Sequence, residues 1–369
     1  MKVAIIHYWW LVNRGGESVA SALLEIFPEA DLFLHVYNEN SVNKLIGNFH
    51  KGKIYTTFIN NLPFAKQIYK LYLPLMPYAL EKLDLSKYDL VISNESGPTK
   101  GVITRPDAIH ICYQLSPMRY IWDMFNDYLT NKNFLIKIYF LYVSHKLRIW
   151  DRLSADRVDY FIAISKFIQK RIKKYYRIDA SAIIGCPVNA KDFNYRKKRK
   201  NYYLYLGELV EYKKADVAVK AFNKLGLNLV VIGGGELEKK LHKIANKNIK
   251  ILGRLPFEKV KESLEECKAL IFPGIEDFGI VPLEAMAAGA PVIAYAKGGA
   301  LDTVIHNKTG ILYDDPTSDG LVNAVRDFEK NKNKFSSRIL YQHALKFDKK
   351  VFKKKIKKFI DSCLVNINR

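Results

Sequence analysis

The chain has 369 residues, 49% hydrophobic and 26% charged, a composition that fits a folded globular protein long enough for two domains. Its 59 Lys plus Arg against 37 Asp plus Glu give a net charge of +22, which points either to an anionic partner (nucleic acid, anionic lipid, phosphorylated substrate) or to a Lys-rich background composition. No apolar run reaches the roughly 18 residues of a membrane span, the run ahead of His7 is too short for a signal segment, and the four cysteines have no C-x-x-C spacing, so a cytoplasmic protein without zinc or disulfides is expected.

The chain opens with a short β-branched run, residues 2–7, followed by the loop Asn13-Arg14-Gly15-Gly16 and helical apolar spacing over 17–27. Further short apolar runs at 31–36, 90–93, 108–112, 159–164 and 182–184 read as buried parallel strands. Two stretches between them, 64–83 and 131–152, mix aromatic residues with lysines. Such segments suit either a membrane headgroup interface or a core-facing helix with snorkelling lysines. Residues 116–123, from Ser116 to Asp123, lie just past a strand end. Arg119 and Asp123 there are placed to handle substrate, or else the segment is a helix start with packing aromatics.

Residues 187–200 read as the interdomain connection, its run Arg196-Lys197-Lys198-Arg199-Lys200 as a solvated linker. The strand–loop–helix opening then recurs, about 200 residues on, as an apolar run at 202–206 and helical spacing over 215–225. Runs at 229–232, 249–252, 269–272 and 291–294 follow. This alternation predicts an α/β protein of two doubly wound Rossmann-like domains, at 1–190 and 198–345. Residues 346–369 form an amphipathic, Lys-coated helix, expected to pack back toward the first domain.

The stretch 273–299, PGIEDFGIVPLEAMAAGAPVIAYAKGG, is the richest in chemistry. A strand ends in a loop carrying Glu276, Asp277 and Gly279, and a helix follows from about Val281. Glu284 falls one turn inside that helix. Free N–H groups at a helix start, on the carboxyl edge of such a sheet, are where these folds bind ligands. Taken alone, the two acids read as a cap and a solvated side chain.

The string E-D-F-G-I-V-P-L-E, then A-M-A-A-G-A-P-V-I-A and G-G, resembles the E-x7-E pattern of retaining GT-B glycosyltransferases of family 4. The resemblance extends over nearly the whole chain. It includes His7-Tyr8-Trp9 with Arg14-Gly15-Gly16-Glu17, Val231-Ile232-Gly233-Gly234-Gly235, and Ile251-Leu252-Gly253-Arg254-Leu255. It implies a GT-B fold, two Rossmann-like domains facing a central cleft, the first on the acceptor side and the second for the donor. It further implies that Glu276 and Lys213 are catalytic, with Glu276 beside the donor sugar and Lys213 on the diphosphate. Phe278, Gly279 and Ile280 would offer backbone N–H groups, Glu284 would hold the ribose, Gly15 and Gly16 would admit the diphosphate, and Arg254 would cradle the base.

Two positions depart from the pattern. Where many relatives carry Arg, five residues before the lysine, this chain has Glu208, an acid that repels a diphosphate unless it is paired. Arg14 or Arg254 could compensate. Where relatives often carry a His facing the donor sugar, this chain has Leu115, which implies an apolar contact and a 6-deoxy sugar.

The expected reaction is retaining transfer from a nucleotide sugar, GDP-mannose or a GDP-6-deoxyhexose, to a lipid-linked glycan of O-antigen, capsule or exopolysaccharide assembly. It is placed peripherally on the inner face of a bacterial plasma membrane with an anionic surface. No D-x-D motif calls for a metal, and no cofactor beyond the nucleotide-sugar co-substrate is expected. The alternatives are a GT-B sugar-nucleotide epimerase and a non-enzymatic basic nucleic-acid-binding protein. The latter lacks any recognisable nucleic-acid motif, so no nucleic-acid partner is expected. A nicotinamide enzyme is disfavoured because no G-x-G-x-x-G follows the first strand.

Overall fold

A computed structural model describes residues 1–129 and 133–367. Asn131 and Lys132, which open the second aromatic–basic stretch, and the last two residues of the C-terminal segment lie outside the described residues. The chain divides into two compact units. One comprises Met1–Gly185 and the chain from Lys353 onward, and the other comprises Cys186–Phe352.

The first unit holds a seven-stranded sheet of β1 (Val3–Trp10), β2 (Asp31–Tyr37), β3 (Ile54–Thr56), β4 (Leu90–Glu95), β5 (Ile109–Gln114), β6 (Tyr160–Ala163) and β7 (Ala182–Ile183). The order is β3-β2-β1-β4-β5-β6-β7 and the pairings are parallel. The second unit holds a six-stranded sheet of β8 (Tyr203–Leu206), β9 (Leu229–Ile232), β10 (Ile249–Ile251), β11 (Leu270–Phe272), β12 (Val292–Tyr295) and β13 (Gly310–Tyr313), ordered β10-β9-β8-β11-β12-β13. These are the two Rossmann-like parallel-sheet domains expected from the alternating runs. In each unit the chain works outward from its first strand and then returns to that strand's other side. The reversal falls between β1 and β4 in one unit and between β8 and β11 in the other.

The apolar runs are continuous because both faces of the sheet are covered. In the second unit Tyr203, Tyr205, Val231 and Ile293 pack on one face with the helices Ala215–Leu225 and Ser318–Asn331. Leu204, Ile232, Leu270 and Val292 pack on the other with the helices Ile280–Ala287 and Ser337–Ala344. The four cysteines are free and buried.

The basic connection departs from expectation in part: Arg196, Lys198 and Lys200 are exposed, but Lys197 and Arg199 are not. Rather than lying solvated, Arg199 is half-buried and donates to the carbonyls of Glu265 (2.8 Å) and Ala288 (2.6 Å). These are the unsatisfied C-terminal carbonyls of the helices Phe257–Glu266 and Ile280–Ala287, where a cation also meets the negative helix end. Lys197 and Lys200 pair with Glu266 at 3.1 and 2.5 Å. The stretch at 64–83 is not one helix. It breaks into Ala65–Ile68, a 3-10 segment Tyr69–Leu75 containing Pro74, and Met76–Glu81. The second stretch does form one long helix, Phe134–Ser154. At the C-terminus the helix Lys349–Ile367 buries Phe352, Ile356, Ile360 and Cys363. In the first unit its Lys353 lies 2.8 Å from Glu25, and Phe359 meets the edge of Tyr160.

Candidate functional site

The reversal between β8 and β11 leaves the loops after these strands free to diverge at the carboxyl edge of the second sheet, the ligand-binding position in doubly wound folds. The loop after β8 passes Gly207 and Glu208, forms a 3-10 turn Glu211–Lys213, and starts the helix at Ala215. The loop after β11 carries Pro273, Gly274 and Glu276 into the helix Ile280–Ala287. The two loops touch at Gly274, where a Cβ would stand 2.8 Å from the Lys213 Cα. Only a residue without a side chain permits that approach.

The contact brings together the two residues named as catalytic. Lys213 Nζ lies 2.8 Å from Glu276 Oε1, both about four-fifths buried (21% and 20% exposed). Burial alone acts to lower the Lys213 pKa. The charge of Glu276, aided by Tyr212 and Glu208, outweighs it and holds the ammonium above its ordinary value. Glu276 is fixed from behind by the third loop, after β12. The Gly299 N–H donates to the Glu276 carbonyl at 2.8 Å, and Gly298, at φ +66°, leaves room where a Cβ would stand 2.4 Å from that oxygen.

Gly279 caps the following helix in the left-handed region, at φ +100°. The N–H groups of Phe278, Gly279 and Ile280 therefore sit at its start, where no intrahelical acceptor is available. Phe278 itself is buried and packs edge-on against Phe347. Glu284 is half-buried within the helix, and its carboxyl finds no donor or cation among the described residues. Burial pushes its pKa up to about 7.

The acid that departs from the family pattern is not left alone. Arg254, from the loop after β10, places its Nη2 3.7 Å from Glu208 Oε1. Its stem runs across Gly234, where a Cβ would stand 3.0 Å from the Arg254 Cγ. The Gly233 turn lets the Gly207 carbonyl come closer than any side chain allows, because a Cβ would be 1.8 Å from that oxygen. The second unit thus gathers Lys213, Glu276, Glu208 and Arg254 on adjoining loops, with Glu284 on the helix that follows one of them.

The first unit has its own polar cluster toward the carboxyl ends of β1 and β4, where His7 and Asn94 are register partners. The His7 Nδ1 accepts from Asn94 Nδ2 at 3.0 Å, and the same amide nitrogen reaches the Gly16 carbonyl at 3.0 Å. With Nδ1 accepting, the ring proton resides on Nε2. That nitrogen is buried without a hydrogen bond, 3.9 Å from Glu17 Oε1. Glu17 reaches back to the Arg14 N–H at 2.9 Å and ties down the start of the helix Gly15–Ile26. The space beside Gly16 is filled within the unit: a Cβ would meet the Tyr8 hydroxyl at 2.0 Å and Leu115 Cδ1 at 3.3 Å. Leu115 is buried there.

Asp123 is held by Arg171, a residue that the sequence pattern does not single out. The buried guanidinium also donates to Ser116 Oγ (3.0 Å) and the Pro117 carbonyl (3.3 Å). Arg119 lies close enough to lower the Arg171 pKa further, after burial. Nothing in the helix Lys166–Tyr176, rich in Lys and Arg, marks that one cation as buried. Also unforeseen is a fully buried triad in which Lys100 bridges Glu95 (3.4 Å) and Asp151. Asp151 also accepts from Trp122 Nε1 (2.7 Å) and the Tyr176 hydroxyl (3.0 Å).

Residues 189–344 match the family described as Glycosyl transferases group 1. The O-antigen chain mannosyltransferase RfbU of Salmonella typhimurium is 28% identical over 44% of this chain and 47% of its own length. A GDP-mannose-dependent alpha-(1-6)-phosphatidylinositol monomannoside mannosyltransferase of Mycobacterium tuberculosis is 32% identical over 36% of this chain and 39% of its own. The chain thus spans about half, or less, of the length of the curated relatives it matches. Among solved structures, HepE of Anabaena in complex with UDP superimposes with a TM-score of 0.70 at 16% identity, over 98% of this chain and 100% of that one. That likeness is one of fold: two Rossmann-like domains of the GT-B type.

Proposed function

We propose that the chain is a retaining glycosyltransferase that moves a sugar from a nucleoside diphosphate to an acceptor hydroxyl. The observation that carries the reading is the meeting of Lys213 and Glu276 at the β8/β11 reversal, inside the segment that matches the glycosyl transferase family. Lys213 and the helix start at Gly279–Ile280 supply positive potential for a leaving diphosphate. Glu276 faces the sugar hydroxyls, Glu284 accepts from the ribose hydroxyls, and Arg254 borders the base. As the bond to the diphosphate breaks, negative charge grows on the phosphate oxygens and positive charge on the sugar. A fixed ammonium beside the former lowers the barrier. No metal is assigned a role.

The donor in this reading is GDP-mannose or a GDP-linked 6-deoxyhexose. Support comes from the GDP-mannose dependence in the name of the mycobacterial relative and from the apolar Leu115. The acceptor is a lipid-linked glycan, as the O-antigen relative's name implies for that protein. No helix of the described residues is long and apolar enough to cross a membrane. The first half of the helix Phe134–Ser154 instead presents Phe134 (74% exposed), Leu135 (75%), Ile138, Leu141 and Tyr142 to solvent, interspersed with Lys137 and followed by Lys146. An apolar, cationic helix face of this kind suits a shallow seat in an anionic leaflet.

Calorimetric titration with GDP and UDP tests the reading. Binding of one of them to the wild type, and its loss in Glu284→Ala, is expected. Binding of neither overturns it.

A further inference from the structure

Lys213 and Glu276 are each assigned to a different part of the donor, yet they are paired with each other. A diphosphate and the Glu276 carboxylate present the same chemistry to the ammonium, an anionic oxygen at hydrogen-bond distance, and they compete for it. The approach of the Lys213 backbone to Gly274 and the clamp of Gly299 on the Glu276 carbonyl fix both main chains, so only the side chains are left to move. Glu208, coupled to Lys213 and 3.7 Å from Arg254, adds a second acid to the same loops.

We propose that Glu276 is the resident counter-ion of Lys213, and that donor binding is an exchange in which a phosphate oxygen takes the carboxylate's place on the ammonium. The displaced carboxylate then accepts a hydrogen bond from a hydroxyl of the sugar that the diphosphate carries. This deepens the functional reading above and rests on it. The exchange links recognition of the two ends of the donor. A nucleoside diphosphate without a sugar strands the Glu276 carboxylate beside new negative charge, whereas a sugar nucleotide gives it a partner. The intact donor is thereby favoured over its own product.

The test is calorimetry with GDP and UDP, followed by the mannosyl or glucosyl form of whichever binds the wild type. Glu276→Gln is expected to bind the nucleoside diphosphate about tenfold more tightly, roughly the worth of one largely buried ion pair that water still screens in part. It should bind the sugar nucleotide no more tightly than the wild type does, so the preference for the intact donor falls about tenfold. In the Lys213→Ala background, adding Glu276→Gln should restore part of the lost diphosphate affinity, because an unpaired acid has been removed. Unchanged diphosphate affinity in Glu276→Gln, with a weaker sugar nucleotide, would reduce Glu276 to a sugar contact and overturn the exchange. Weakening of both ligands would reduce it to a loop anchor and overturn the exchange equally. If the wild type binds neither GDP nor UDP, the functional reading falls and the exchange with it, an outcome distinct from the other two.

Discussion

Glu284→Gln should make the ligand-free protein more stable while abolishing nucleotide binding, with a gain that depends on pH. The Glu284 carboxyl is moved by burial from 4.5 to about 7 and has no compensating partner among the described residues. At about 1.4 kcal/mol for each factor of ten in proton affinity, that displacement corresponds to roughly 3 kcal/mol of opposition to the charged folded form. Water still reaches the half-buried side chain, so we expect about half of this, ~1.5 kcal/mol. For a unit of this size that is about 3–6 °C in Tm. The sign follows from linkage. The folded protein holds this proton more tightly than the unfolded chain, so stability is greatest below about pH 4.5 and declines as pH rises toward about 7. Gln carries no charge and escapes the decline. Thermal melts of both proteins from pH 4.5 to 8.5 should show no difference at the acid end and the full difference above pH 8. A variant-minus-wild-type difference that stays flat with pH would refute the argument, and with it the idea that Glu284 is kept unpaired for a ligand's hydroxyls.

Further outcomes follow from other contacts. Lys100→Met leaves Glu95 and Asp151 buried with no cation between them and should cost about 3–5 kcal/mol in urea unfolding, if the first unit folds at all. Gly233→Ala meets both a φ of +144° and the Gly207 carbonyl, so a loss of at least ~3 kcal/mol is expected, together with weaker nucleotide binding through the displaced Glu208 loop. Leu135→Asp combined with Tyr142→Asp should abolish sedimentation with vesicles rich in anionic lipid while leaving Tm within ~1 °C, since both side chains are exposed. Retained sedimentation would remove that helix from the membrane reading.

Much of the architecture was legible because buried parallel strands are short, apolar and followed by helices of different period. The two strands not anticipated, β3 and β13, are both edge strands. β3 has three residues, each half-buried, and lacks the dense apolar run of a central strand, whereas β13 does carry such a run, Ile311-Leu312-Tyr313, but one only three residues long after Gly310. Within the site, the stretch around Glu276 and Glu284 announced itself through its acids, its glycines and its place after a strand. The pairing of Lys213 with Glu276 did not, because it depends on how closely two loops more than sixty residues apart approach at Gly274. The burial of Arg171 and Arg199 was equally hidden. In a chain with 59 cations, composition makes every Arg look like a surface residue, and only the tertiary structure reveals which ones meet carbonyls.

The first unit is assembled from two stretches of chain that flank the second, since the chain from Lys353 onward belongs with Met1–Gly185. During synthesis the amino-terminal unit therefore waits for its last strap until the whole second unit has left the ribosome. Until then the positions that Ile356, Ile360 and Cys363 will cover remain open to water. A nascent chain halted once Phe352 has emerged, but before the residues that follow it, carries a complete second unit behind an unfinished first one. Translation itself thus orders the folding, and a truncation that spares every residue of the loops around Lys213 and Glu276 still leaves the first unit incomplete.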